Sequence, residues 1–221
     1  MVKADLTAAD AAVMVEYTQQ TSEVSKDKDL GGLSHIGENI MSNAERAGDE
    51  GVSLLHDLSR EELVRIIVDD AKNWLAHDGV WFQAVERRYG MDLAVEIDTE
   101  AWRHFTTIEA RRIMYRVGLK PGGGIPALVE CLKHRFYARL NLQDVIEQTE
   151  TRVVFRMIDC RVQSARKRKG LADHPCKSVG IVEYSGFAKT VDPRLVTRCI
   201  ACPPDEHPEE FWCAWEFALE K

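Results

Sequence analysis

The sequence predicts an α+β fold: a helical N-terminal half packed on a four-stranded antiparallel sheet with crossing helices. Two observations carry this expectation. Before residue 140 or so, apolar residues recur three and four apart, the period of a helix with one buried face. After it, short runs rich in β-branched and aromatic residues take over, bounded by turn formers. Three regions follow: an accessory extension over 1–55, a helical region over 56–140, and a sheet region over 141–221 that forms one domain with the helices.

The elements can be taken in order. Thr7 caps a helix with Val13, Met14 and Tyr17 on one side, "SEVSKDKDLGGLS" reads as polar linker, and a weak helix covers 36–48. The strongest helix starts at "LSREELVRIIVDDAKNWLAHDGVWFQAVERRYG". Ser59 and Glu62 make a capping-box pattern, Leu63, Ile67, Trp74, Trp81 and Val85 recur at helical spacing, and Gly90 is a natural stop. Two further helices are expected, Asp92 to Phe105 and Thr107 to Val117. Thr106 and Glu109 repeat the capping box between them. "KPGGGIP" is a joint, and Pro126 suits the first turn of a helix over "PALVECLKHRFYARL". "QDVIEQTETRVVFRMIDC" reads as two strands around Gln148–Thr151, and residues 161–169 as a short basic helix. "KSVGIVEYSGFAKT" fits strand or helix. "PRLVTRCIAC" and "FWCAWEFAL" form a closing hairpin around "PPDEHPEE".

Composition removes several function classes. The chain has 221 residues, 45% hydrophobic and 29% charged, which suits a globular protein with a full core. A formal charge of −7 argues against general nucleic-acid affinity. No apolar run approaches a membrane span and "MVKADLTAAD" lacks the apolar run of a secretory signal. Six cysteines are too few for a disulfide scaffold. The expectation is a cytoplasmic protein with reduced thiols and no nucleic-acid or membrane partner. The basic segment with Arg161, Arg166, Lys167, Arg168 and Lys169 reads first as a solvated helix face, second as a carboxylate dock.

Three groups of residues invite chemistry. Cys199 and Cys202, spaced Cys-x2-Cys, precede Cys213, and thiolates suit tetrahedral zinc. With His207, Cys160 or Cys176 as fourth ligand they would make a zinc site, although Cys199 and Cys202 face opposite sides of a regular strand. Cys160 ends a strand, and Cys176 opens a helix whose N-terminus, with Arg161 nearby, should favour a thiolate nucleophile; His174 could serve as its base. Finally, Asn73, Trp74, His77 and Trp81 share a helical face, with Asp78 beside it, and mix aromatic walls with proton-handling groups. Glu86, Glu100, His104 and Glu109 include no Glu-x-x-His pair, so a di-iron centre is not expected.

The blocks "DLSREELVRIIVDDAKNWLAHDGVWFQAVERRYGMDLAVEIDTEAWRHFTTIEARRIM" and "CRVQSARKRKGLADHPCKSVGIVEYSGFAKTVDPRLVTRCIACPPDEHPEEFWCAWEF" resemble an uncharacterised family of bacterial and archaeal cytosolic proteins. The second block also resembles, more distantly, the L-2-amino-thiazoline-4-carboxylic acid hydrolase family, with Cys160, Cys176 and Cys213 at its cysteine positions. Its strand-helix-hairpin order is similar to the vinyl-reductase domain, a small-molecule-binding module with cysteines suited to zinc. These resemblances imply a helix over 177–190 and a pocket between helices and sheet.

The combined expectation is a small-molecule-binding protein with a Cys/His-centred pocket. Its most specific form is a hydrolase acting on a C–N bond of a small cyclic or amidine-like substrate. Cys160 or Cys176 would be the nucleophile, His77 would transfer protons and Asp78 would orient it. Asn73, Trp74, Trp81, Arg161 and Cys213 would hold the ligand. The alternative is a non-catalytic ligand- or zinc-binding module. The N-terminal helices could serve a homodimer.

Overall fold

The computed structural model of the chain describes residues 50–220. The chain divides into two units, Met1–Leu58 and Ser59–Lys221. In the first, helix α1 spans Glu50–His56. The helices expected at Thr7 and over 36–48, and the linker between them, lie outside the described residues.

The second unit is α+β. Helix α2 spans Arg60–Tyr89 and starts on the expected capping box: Ser59 Oγ accepts the Glu62 N–H at 3.2 Å, and Glu62 Oε2 accepts the Ser59 N–H at 2.9 Å. Gly90 stops it at φ +90°, a conformation that suits glycine. Helix α3 runs unbroken over Met91–Arg116, where two helices were expected. The residues of the supposed second capping box serve tertiary packing instead. Thr106 Oγ1 donates to the Glu183 carbonyl at 2.8 Å, and Glu109 accepts from Arg135 Nε at 2.9 Å. With its side chain committed elsewhere, Thr106 caps nothing and the helix continues.

Helix α4, Gly124–Lys133, is shorter than its apolar pattern suggested. Arg135 turns extended (φ −63°, ψ 150°), and a 3-10 turn, Phe136–Arg139, follows. The break lets the Arg135 guanidinium enter the interior between Glu109 and Glu183.

Four strands complete the unit: β1 (Leu142–Ile146), β2 (Arg152–Asp159), β3 (Leu195–Ala201) and β4 (Cys213–Leu219), in antiparallel order β1-β2-β4-β3. Between β2 and β3 the chain forms α5 (Arg161–Arg168) and α6 (Lys177–Val191). The hairpin register pairs Leu195 with Leu219 and Cys199 with Trp215. On β4, Trp215 and Phe217 turn into the core, while Glu216 between them meets Arg152 and Arg198 on the other face.

The core lies between one sheet face and the helices. Ile125, Leu128 and Leu132 of α4 meet Val153 and Phe155 of β2, Trp215 and Phe217 of β4, and Phe187 and Val191 of α6. Helix α6 packs closely on both sides because two of its positions lack a Cβ. One added at Gly180 would lie 2.6 Å from Trp215 Cζ2, and one at Gly186 would lie 2.7 Å from Thr106 Cγ2. Among the described residues, no helix is long and apolar enough to cross a membrane.

Candidate functional site

A cavity of about 470 Å³ opens between α2, α3, α5, α6 and the sheet. Its helical wall follows from α2's periodicity. Lys72, Leu75, Ala76, Gly79, Phe82 and Gln83 all line it, three or four residues apart. Leu75 and Phe82 are buried, and the small residues between them leave the space. Helix α3 adds Asp98 and, one turn on, Trp102; the 3-10 turn adds Tyr137. Met157, Cys213 and Trp215 come from the sheet, Glu183 and Tyr184 from α6.

Of the residues expected at the site, Asn73, Asp78, Cys160, Arg161, Cys176 and Cys213 line this one cavity. Trp74, His77 and Trp81 do not. Helix α2 turns the 72–75–79–82 stripe inward, and residues 77 and 81 fall on another side of the same helix. His77 is exposed, and Trp81 is 47% exposed. Trp74 packs in an aromatic cluster, 5.1 Å from the Phe105 ring and 4.3 Å from Phe136. The buried imidazole at the cavity is His174. Its ring packs edge-on against Phe82 at 4.6 Å, and its Nε2 lies 3.9 Å from Asp98 Oδ2. Asp98, Tyr137 and Glu183 were not singled out from the sequence. The usable signal was Asp98 one turn before Trp102, the same acid-beside-indole pattern that drew attention to α2.

The thiols come together, in a different grouping from the expected one. Cys160 precedes α5 and Cys176 precedes α6; Cys202 follows β3, and Cys213 starts β4. All four line the cavity. Cys176, Cys202 and Cys213 are neighbours that shift one another's proton affinities. Cys176 Sγ in turn donates to the His174 carbonyl at 3.2 Å and accepts from Gln163 Nε2 at 3.2 Å. Gln163 also holds the His174 backbone, its Oε1 accepting the N–H at 2.8 Å. β3 shifts register between Cys199 and Ala201 and ends at Ala201; Cys202, just beyond it, lines the cavity while Cys199 stays outside the lining. His207 is remote from it: its Nδ1 lies 2.9 Å from the Pro208 carbonyl and its ring packs on Trp212.

The expected zinc set of Cys199, Cys202, Cys213 and His207 is therefore not assembled. Among the described residues, no group of three or more His, Cys, Asp or Glu side chains is placed to hold a metal ion. Zinc requires its ligands around one point, and Cys199 and His207 lie outside the lining that Cys202 and Cys213 share.

Burial dominates the electrostatics. It pushes the Asp98 carboxyl up to about 7, with the Asp78 charge adding to the shift, and Asp78 up to about 6. It raises Glu183 as well, against the pull of Arg135. It lowers His174 to about 4, so the imidazole is neutral at physiological pH. Burial also pushes the Cys160 thiol up to about 11. The neighbouring Cys202 thiol favours the Cys176 thiolate, yet burial and the neighbouring Cys160 and Cys213 leave Cys176 raised. The helix N-terminus and basic cluster expected to favour a Cys176 thiolate are thus outweighed by removal from water.

Arg166, on the segment read first as a solvated face, is buried. Its two terminal nitrogens hold Glu86 of α2 at 2.8 and 2.9 Å, and its Nε donates to the Ala172 carbonyl at 2.7 Å. Lys169 reaches Gln83 Oε1 at 3.0 Å. Helix α5 is thereby clamped to α2 as one side of the cavity, and the exposed lining residues Lys72, Arg161, Arg168 and Lys169 mark its mouth. Glu86 and Glu109 are both committed to arginines.

The sequence model of a family described as "Family of unknown function (DUF6125)" matches residues 56–219. No curated protein and no solved structure matches the chain. Nothing in these comparisons supports the more distant likenesses to the thiazoline-carboxylate hydrolases and the vinyl-reductase domain.

Proposed function

We propose that this chain, which belongs to the DUF6125 family of unknown function, is a small-molecule-binding protein whose ligand occupies the thiol-lined cavity. One observation carries the reading: a cavity of about 470 Å³ joins apolar walls to a few convergent polar groups whose proton affinities are shifted by burial. A core packed only for stability has few voids larger than a water molecule. The volume suits a compact organic molecule. Arg161 and its basic neighbours at the mouth suit a carboxylate on that molecule.

Binding is favoured over hydrolysis for a physical reason. Attack on a C–N bond by Cys160 or Cys176 requires a thiolate, and both thiols are held protonated near neutral pH. The hydrolytic form of the proposal therefore needs a base in the cavity, a role open to Asp78 or Asp98 and not to exposed His77.

Native mass spectrometry of gently purified protein tests the binding reading. A small molecule should accompany the wild type and be absent from Val179→Trp or Ala76→Phe, which place a large side chain on the cavity wall. Equal occupancy in the wild type and in both folded variants, or ligand-free protein throughout, would refute it.

A further inference from the structure

Resting on the reading of this cavity as a ligand site, we infer that its ligand carries a protonated nitrogen, held inside the cavity by the carboxyls of Asp78 and Asp98. The ligand is then bipolar: an anionic group lies at the basic mouth and a cationic group inside, as in an amino acid.

The argument starts from charge balance in the interior. Asp98, Glu109 and Glu183 are buried, and Asp78 is partly so. Arg135 contacts two of them, Nη2 at 2.9 Å from Glu109 Oε2 and Nη1 at 2.7 Å from Glu183 Oε1. The other buried arginine among the described residues, Arg166, is taken by Glu86. A single guanidinium thus serves two carboxylates, and among the described residues no lysine or arginine forms an ion pair with Asp78 or Asp98.

Asp98 is 8% exposed and lines the cavity. The imidazole of His174, 3.9 Å away, is beyond hydrogen-bond length, and burial keeps it uncharged. A buried carboxylate without a cation is costly, so an ionised Asp98 calls for one. The groups that act on Asp98 are Asp78 on α2, Trp102 on its own helix, His174 before α6 and Glu183 on α6. None is a cation at neutral pH. The Trp102 and Tyr137 rings stack at 5.8 Å and line the same wall. Aromatic faces beside carboxylates are a recognised environment for organic cations.

The opposite sign at the mouth argues against a simple amine. Lys72, Arg161, Arg168 and Lys169 line the entrance, so a lone cation would be repelled on entry. A ligand with its anion outward and its nitrogen inward satisfies both ends.

Calorimetry with two probes of one shape tests this. 4-(Aminomethyl)benzoate carries both charges; 4-(hydroxymethyl)benzoate keeps the carboxylate and the ring but replaces the ammonium with a hydroxyl. At pH 7.5 the amine should bind the full chain at least about tenfold more tightly, the scale of one charge-assisted hydrogen bond. Asp98→Asn should reduce that preference to about twofold or less, and Asp78→Asn, a second variant should the first not fold, should also reduce it. Equal binding of the two probes to the wild type would overturn the inference and leave the binding reading standing. So would a preference that survives both substitutions. Binding of neither probe would count against both.

Discussion

Asp98 Oδ2 lies 3.9 Å from His174 Nε2, and burial moves the two groups' proton affinities in opposite directions. The carboxyl keeps its proton up to about 7, and the imidazole takes none until about 4. Between those values the two are a neutral acid beside a neutral base. A ligand can exchange protons with either without a charge having to be created in the interior beforehand.

That relationship gives a pH prediction with two signs. Asp98 is raised in the fold, so the unfolded chain loses this proton first. Its contribution to stability is greatest below about pH 4 and falls as pH rises towards 7. His174 is depressed, so the unfolded chain gains its proton first. Its contribution is full above about pH 6.5 and is lost as pH falls towards 4. Urea unfolding at pH 4.5 and 8 should show Asp98→Asn gaining stability relative to wild type on going to the higher pH, by on the order of 3 kcal/mol as an upper bound. His174→Gln should show the reverse trend. Parallel curves for wild type and either variant would disprove the assignment for that residue.

Arg135 should be costly to remove. It is 2% exposed, is paired with Glu109 and Glu183, and lies over the Phe187 ring at 4.8 Å. Arg135→Met leaves two carboxylates buried without a partner, and a loss of about 3–5 kcal/mol is expected in chemical denaturation. Arg135→Lys keeps the charge but lacks the planar fork that reaches both carboxylates, so it should recover only part of that loss. A Met variant as stable as wild type would show that the ion triad does not hold α3, α6 and the 3-10 turn together.

The cavity thiols should be slow. With iodoacetamide at pH 7, Cys160 and Cys176 should be alkylated at least about tenfold more slowly than an unstructured cysteine peptide. The rate at Cys160 should climb as pH approaches 11. Peptide mass spectrometry after quenching reads each site separately. Rapid labelling of either thiol at neutral pH would reinstate a thiolate and, with it, the nucleophilic form of the hydrolase reading.

Gly180 is a packing position. Its missing Cβ admits the Trp215 ring, so Gly180→Ala forces the indole or α6 to shift. A cost of about 1–3 kcal/mol is expected, with a change in tryptophan emission because Trp215 lines the cavity. An unaltered midpoint and spectrum would mean that this wall yields easily.

The sequence read well wherever structure is local. The α2 capping box, the stop at Gly90 and the hairpin of β3 and β4 follow from hydrogen bonds and patterns within one turn or one strand pair, whereas "KSVGIVEYSGFAKT" fits strand or helix by pattern and is helix α6. The errors came where a side chain serves a distant partner. Thr106 and Glu109 look like a capping box, and α3 runs through them because Glu183 and Arg135, far along the chain, claim them. Arg166 looks like a solvated charge until Glu86 is placed opposite it.

By itself the sequence determined the α+β class, the alternation that turns Cys213 and Trp215 to one face of β4, and the presence of thiols and carboxyls to furnish a site. Only the tertiary structure decided which stripe of α2 faces inward. That choice put Asp78 at the cavity and His77 outside it; the fold also brought His174 to Asp98 and left Cys199 out of the thiol group that Cys202 joins. The reason is physical: periodicity tells which residues share a helix face, but the rotation of that face is set by the total apolar area it can bury against the rest of the chain. The Leu75–Phe82 stripe, with its small intervening residues, faces the core, and the mixed stripe of His77 and Trp81 is left outside the cavity.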